Sequence, residues 1–366
     1  MELISLLKDA LSRDGSDIFI IPGSPVMVKS HGRMVELTDT RLMPADAEEL
    51  IRTAYALASR DTAVLDAEGD DDFSFSVRDV SRFRCNTYRQ RGTLAATCRV
   101  VAFGLPDPKA AHIPDVVMNL ASLRNGMVLV SGPAGNGKST TLACLVDRIN
   151  STRNGHIITI EDPIEFLHPH RMSLVSQREV PNDASTFARA LRASLRQAPD
   201  VIMLGEMRDQ ETISTAITAA ETGHLLLSSL HTLGAAKTID RIVDAFPAEQ
   251  QNQIRAQLSM VLKGVISQRL ILTKDGGLTP VFEVMTVNPA IQNLIREGKT
   301  HQIDNAIFSG GPGMLSMDTE LMRLVKEGQI TQETATLYAV HPETMDRGGR
   351  MAPPAPGGGL GFGKRF

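Results

Sequence analysis

Leu3, Ile4, Leu7 and Leu11 recur at helical spacing, and the run Asp17-Ile18-Phe19-Ile20-Ile21 after them reads as a strand. Gly23-Ser24-Pro25 turns the chain and offers Val26-Met27-Val28 as a returning hairpin partner. Farther along, residues 73–77 and 82–86 alternate apolar and polar positions, and a third extended segment runs over 94–101. Residues 1–104 therefore predict a small mixed α/β domain built on an antiparallel sheet. Pro106, Pro108 and Pro114 punctuate a linker over 105–118.

Beyond the linker the rhythm changes. Short apolar runs at 127–130, 157–160, 201–204 and 225–230 alternate with helical stretches at 140–150, 187–197 and 211–221. Buried strands alternating with helices predict an α/β core over 119–272, a parallel sheet covered on both faces. After Pro280 the pattern is mostly helical, through 291–296 and 321–326, so 273–345 reads as a mainly helical C-terminal region. Residues 346–366 are rich in Gly and Pro and read as a disordered tail.

Composition narrows the class. The 38 Lys and Arg against 42 Asp and Glu leave a formal net charge of −4, which argues against a protein that coats nucleic acid. With 4% aromatics and no Trp, there is no stacking platform for single strands either. No apolar run approaches the ~18 residues of a membrane span. Glu2, Lys8 and Asp9 interrupt the N-terminal segment, so it does not read as a signal peptide. The three cysteines, Cys85, Cys98 and Cys144, form no C-x-x-C pair and are too few for a four-cysteine zinc site. The expectation is a cytoplasmic protein with no nucleic-acid partner and no membrane insertion.

The strongest motif is Gly132-Pro133-Ala134-Gly135-Asn136-Gly137-Lys138-Ser139, a full match to G-x-x-x-x-G-K-[ST]. It follows one apolar strand and precedes a helix, as its mechanism requires. Glycines let backbone N–H groups converge on phosphate oxygens, and the helix N-terminus adds its dipole. Lys138 would reach the β- and γ-phosphates, and the Ser139 hydroxyl would take a place on Mg²⁺. With Thr140, these residues are the nucleotide-binding candidates.

Hydrolysis needs more: a positioned water and stabilised charge. The strand at 201–204 ends in Gly205-Glu206, a carboxylate at a strand end in the manner of a Walker B segment. Gly stands where an Asp is usual, which leaves Glu206 as the acid near Mg²⁺. Glu161, Asp162 and Glu165 follow another central strand, and in open α/β sheets ligands sit beyond the carboxyl ends of the strands. Taken alone, His224 and His231 read as ordinary structural histidines. Arg84 and Arg99 read as cations on the solvent face of strands.

In this order, the phosphate loop, the acidic box 159–165, the segment 201–208 and the stretch from Ala220 through His224 to His231-Thr232 resemble the secretion ATPases. The chain is most similar to the type IV pilus retraction ATPases, the PilT branch, from Gly15-Ser16-Asp17 to about residue 345. The resemblance implies an N-terminal PAS-like domain, a RecA-like parallel-sheet core with a C-terminal helical extension, and a homo-hexameric ring that hydrolyses ATP with Mg²⁺. It implies that Glu165 is the general base and that Glu206 acts through Mg²⁺. His224 and His231 would sense the γ-phosphate, and Arg84 and Arg99 would reach into the neighbouring subunit's site. The partner would be an inner-membrane pilus platform protein, with the ring peripheral at the inner face of the cytoplasmic membrane. Two positions depart from the pattern. Leu233 follows Leu-His-Thr where Asn is usual, and Gln292 replaces an arginine in the retraction signature Ala290 to Glu297.

Other classes are a pilus-extension or secretion ATPase, a nucleotide-binding regulatory scaffold, and a nucleic-acid motor. The extension class typically carries a further N-terminal domain and a four-cysteine zinc module, for which this sequence has too few cysteines. Glu165, Glu206, Arg84 and Arg99 speak against a scaffold without turnover.

Overall fold

The structure is a computed structural model that describes residues 2–101 and 104–345, so the expected tail at 346–366 lies outside the described residues. Two compact units divide the chain, one of residues 1–106 with 146–206 and one of 107–145 with 207–366. The first thus takes in part of the stretch that the sequence groups with the ATPase core.

In the first unit, β1 (Gly15–Ile20), β2 (Met27–Ser30), β3 (Arg33–Glu36), β4 (Asp70–Val77), β5 (Ser81–Gln90) and β6 (Thr93–Val101) form a sheet in the order β3-β2-β1-β6-β5-β4. Every pairing in it is antiparallel. Alternation decides which face is dry. Along β4, Asp71, Phe73, Phe75 and Val77 turn inward, while Asp70, Asp72 and Ser76 stay exposed. The helices Leu3–Ser12 and Pro44–Leu57 supply Leu3, Leu7, Leu50 and Ile51 to the same core, with Phe73, Phe75 and Phe83 opposite them. Each such side chain contributes roughly 1.5–3 kcal/mol on burial. Asp71 in this core is satisfied by Arg60, at 2.8 and 2.9 Å, and by the Tyr55 hydroxyl at 3.0 Å.

The same unit holds three parallel strands, β8 (His156–Glu161), β9 (Leu174–Glu179) and β10 (Val201–Leu204), in the order β10-β8-β9. The helix expected over 187–197 is shorter, Phe187–Ser194. Ala198 adopts a left-handed conformation (φ 49°) before Pro199, which cannot continue a helix.

The second unit is built on β7 (Gly126–Ser131), β11 (Leu225–Leu230), β12 (Leu262–Leu272) and β13 (Leu278–Thr286), in the order β13-β12-β7-β11. β12 and β11 flank β7 in parallel, and β13 returns antiparallel along β12. Residues 278–286, read from the sequence as the entrance to a helical region, are thus an edge strand. Pro280 is tolerated there because its missing N–H falls on an outer strand. The helices Pro289–Arg296, Ile303–Phe308, Met317–Lys326 and Gln332–Tyr338 follow it. Among the described residues, no helix is long and apolar enough to cross a membrane.

Candidate nucleotide site

Every residue of β7 is buried, so the strand is a fixed rail that delivers Gly132 to the carboxyl edge of its sheet. The helix Lys138–Thr152 opens six residues later. Gly132 (φ 149°) and Gly137 (φ 79°) lie in conformations that side chains disfavour. A Cβ on Gly132 would also fall inside van der Waals contact of the Gln268 carbonyl oxygen. Gly135 and Ala134 are exposed at the tip. The loop thus offers the concave backbone that suits a polyphosphate.

Lys138 is 8% exposed, and its Nζ donates to the carbonyls of Gly132 and Pro133 at 2.8 and 2.9 Å. His231 Nδ1 is 3.5 Å from the same ammonium. The reason lies in the sheet: β11 runs parallel to β7 with Leu230 beside Ser131, so the residue after each strand emerges at one edge. Ser139 and Thr140 are half-buried in the first helical turn. Among the described residues, no cluster of three metal-ligating side chains stands by itself.

Gln268 of β12 is the support that the sequence reading missed. It is 4% exposed, and its Oε1 accepts from Thr141 Oγ1 at 2.7 Å. Its Nε2 lies 2.9 Å from where a Cβ on Gly137 would stand. Two residues on, the Leu270 N–H donates to Asn136 Oδ1 at 2.7 Å. Residues 262–272 carry four polar side chains, Lys263, Ser267, Gln268 and Arg269, so nothing local singled out Gln268.

His224 has a different address. It precedes β11, and Leu225 pairs with Gly126, so His224 lies at the opposite strand end from His231. Seven steps at the strand rise separate the two by about 23 Å. There its Nδ1 is 2.9 Å from the Ala219 carbonyl oxygen and 3.2 Å from Thr222 Oγ1. The structure brings His231 to the phosphate loop and does not bring His224 there.

The candidate acids belong to the first unit. β8 and β10 are in parallel register, with Ile160 beside Leu204, and the Gly205 N–H donates to the Ile160 carbonyl at 2.8 Å. Glu161, Asp162 and Glu165 therefore leave the same edge as Glu206. Glu165 is exposed and Glu206 half-buried. Glu161 is buried, and desolvation pushes its carboxyl up to about 7, although bonds from Thr159, Gln177 and the Glu165 backbone N–H pull the other way.

Arg84 and Arg99 lie in the antiparallel sheet of the same unit. Arg99 Nε donates to Asp17 Oδ1 at 2.7 Å, and Arg84 Nε is 3.9 Å from Asp72 Oδ1. Burial works to raise the Asp17 carboxyl, but the bonds from Arg99 and Ser16 prevail and hold it below its ordinary value.

Comparison with known proteins places this geometry in a family. The family model for type II/IV secretion system proteins matches residues 3–337. The type IV pilus retraction ATPase PilT of Pseudomonas aeruginosa is 42% identical over 348 residues, which is 94% of this chain and 100% of that protein. A twitching motility protein of Neisseria gonorrhoeae is 41% identical, over 94% of this chain and 92% of its own length. A crystal structure of the pilus retraction motor PilT with bound ADP superposes with a TM-score of 0.87 at 44% identity, covering 95% of this chain and 99% of that one. The chain belongs to the type II/IV secretion system protein family, as an ATPase of its PilT-like branch.

Proposed function

We propose that the protein is a hexameric ATP-hydrolysing motor that drives type IV pilus retraction from the inner face of the cytoplasmic membrane. The observation that carries this reading is the likeness to a pilus retraction ATPase along the whole of that relative. Backbone N–H groups of the phosphate loop and the Lys138 ammonium hold the β- and γ-phosphates. Ser139 and Glu206 would hold Mg²⁺, which would supply positive charge against the phosphate oxygens. Glu165 orients the attacking water and takes its proton as ADP leaves. His231 is placed beside Lys138 to register the terminal phosphate. Arg84 and Arg99 act in trans on the next subunit's triphosphate, so each site is complete only in the ring.

In this reading residues 1–104 are the moving N-terminal domain, 105–118 the hinge and 119–272 the ATPase core. Residues 273–345 are the C-terminal region, in which Gln292 stands in the retraction signature. Each turnover rotates the N-terminal domain against the neighbouring core, and the ring bears on an inner-membrane platform protein. Deleting the chromosomal copy and imaging pili tests the assignment. Excess fibres that wild type removes and Lys138→Ala does not are the expected result. Bald cells would assign the chain to pilus extension instead.

A further inference from the structure

Glu179 ends β9 at 2% exposure, and the hydrolytic step described above makes no use of it. Its Oε2 accepts the Ile164 N–H at 3.0 Å and stands 3.0 Å from Nη2 of Arg82. Oε1 accepts from Asn182 Nδ2 at 2.6 Å, and the Val180 N–H donates to the Glu161 carbonyl at 2.8 Å. Arg82 belongs to β5, and Ile164 is the residue before Glu165. One carboxylate oxygen thus joins the antiparallel sheet to the backbone of the acidic loop.

The link is dry at the Glu179 end, where the side chain is 2% exposed, and half-buried at Arg82, whose side chain is 17% exposed. Apart from a bond to Ser76 Oγ at 3.3 Å, the Arg82 guanidinium has only Glu179 to answer it among the contacts described, and its Nε is buried without a partner. Moving the guanidinium away leaves the buried Glu179 carboxylate without its counter-charge, so the two groups shift together. Residues 82 and 84 also share one face of β5, because side chains alternate along a strand. A strand that engages a neighbour through Arg84 therefore pulls on its own acidic loop through Arg82.

We propose that Arg82, acting through Glu179, is a positioning residue for Glu165, and that it couples the N-terminal sheet to placement of the attacking water. The inference rests on the reading of Glu165 as general base. Arg82→Ala should lower kcat between about tenfold and a hundredfold, the scale of a small misplacement near reacting atoms. KM and affinity for a non-hydrolysable ATP analogue should hold. Arg82→Lys should recover part of the rate, and the Arg82→Ala/Glu179→Gln double variant should be no slower than the worse single one.

Hydrogen exchange of the nucleotide-free full chain supplies a readout that needs no hydrolysis. Arg82→Ala should speed exchange in the peptide 161–168. Wild-type kcat, unchanged exchange over 161–168, or a rate loss matched by lost analogue binding would each overturn the proposal. If Arg82→Ala does not fold, Arg82→Lys and Arg82→Gln are read by the same criteria. Wild-type turnover in Glu165→Gln would remove the general-base assignment while leaving the exchange result intact, so the two failures are distinguishable.

Discussion

Arg84 and Arg99 stand directly opposite each other on β5 and β6, two positive charges on one face of the sheet. Like charges in that relation repel, and the acids Asp72 and Asp17 beside them offset the repulsion. Their side chains are 44% and 69% exposed, so the pair remains open to a larger anion. Arginine fingers, the role proposed for this pair, are worth about 10³–10⁵ in rate. Arg84→Ala and Lys138→Ala should each be inactive alone. Mixed rings should regain ATPase activity, because some interfaces then combine an intact Arg84 with an intact Lys138. A phosphate-release assay on reassembled mixtures checks this, and no recovery would place Arg84 in its own subunit's chemistry.

The two histidines should separate experimentally. His231→Ala removes a ring 3.5 Å from the Lys138 ammonium and should alter affinity for a non-hydrolysable ATP analogue. His224→Ala acts at the far end of the strand and should leave that affinity within about twofold, as for independent sites. Fluorescent-nucleotide titration of both variants decides it. Equal losses would mean that β11 transmits between its ends.

Gln268→Ala strips the buried acceptor from Thr141 Oγ1. Leaving a buried donor unsatisfied costs about 1–3 kcal/mol, readable as a lower urea midpoint. Nucleotide affinity should fall with it, since Gln268 also backs Gly137. Gln268→Glu retains an acceptor and should keep more of the affinity.

Burial pushes the Glu283 carboxyl up to about 7 against an ordinary value of 4.5. The Ala235 N–H opposes the shift, while Asp304 and Asp318 add to it. The folded chain then binds more protons than the unfolded chain between those limits. Stability from this group is full below about pH 4.5, falls as pH rises through 7 and levels off above. Glu161, also pushed up to about 7, acts with the same sign. Urea melts of wild type and Glu283→Gln from pH 5 to 8 should show a shallower decline in the variant. Parallel curves would mean that Glu283 is solvated.

The strands at 127–130 and 201–204 were legible as unbroken apolar runs, and 157–160 and 225–230 because only Thr159 and Ser228-Ser229 interrupt them. The phosphate loop was legible because its chemistry fixes spacing. β9 and β12 were not. β9 reads Leu-Val-Ser-Gln-Arg-Glu, and its polar residues are spent on tertiary bonds that local pattern does not reveal. β12 was hidden because Ser267 and Gln268 break its apolar run, and both do so to hold neighbouring loops. His231 was separable from His224 only once the register of β11 on β7 was known, since both flank the same strand.

β12 carries Gln268 under the phosphate loop and, three residues on, Ile271 inside the cluster of Val281, Met317, Leu321 and Leu324. Only about 10 Å of strand separates the two, and an extended ladder scarcely stretches. The seat of the nucleotide and the seat of the C-terminal helices are thus opposite ends of one short beam. A methyl group trimmed from Ile271 should therefore cost about 0.5–1.5 kcal/mol at a point three residues from the support of the phosphate loop.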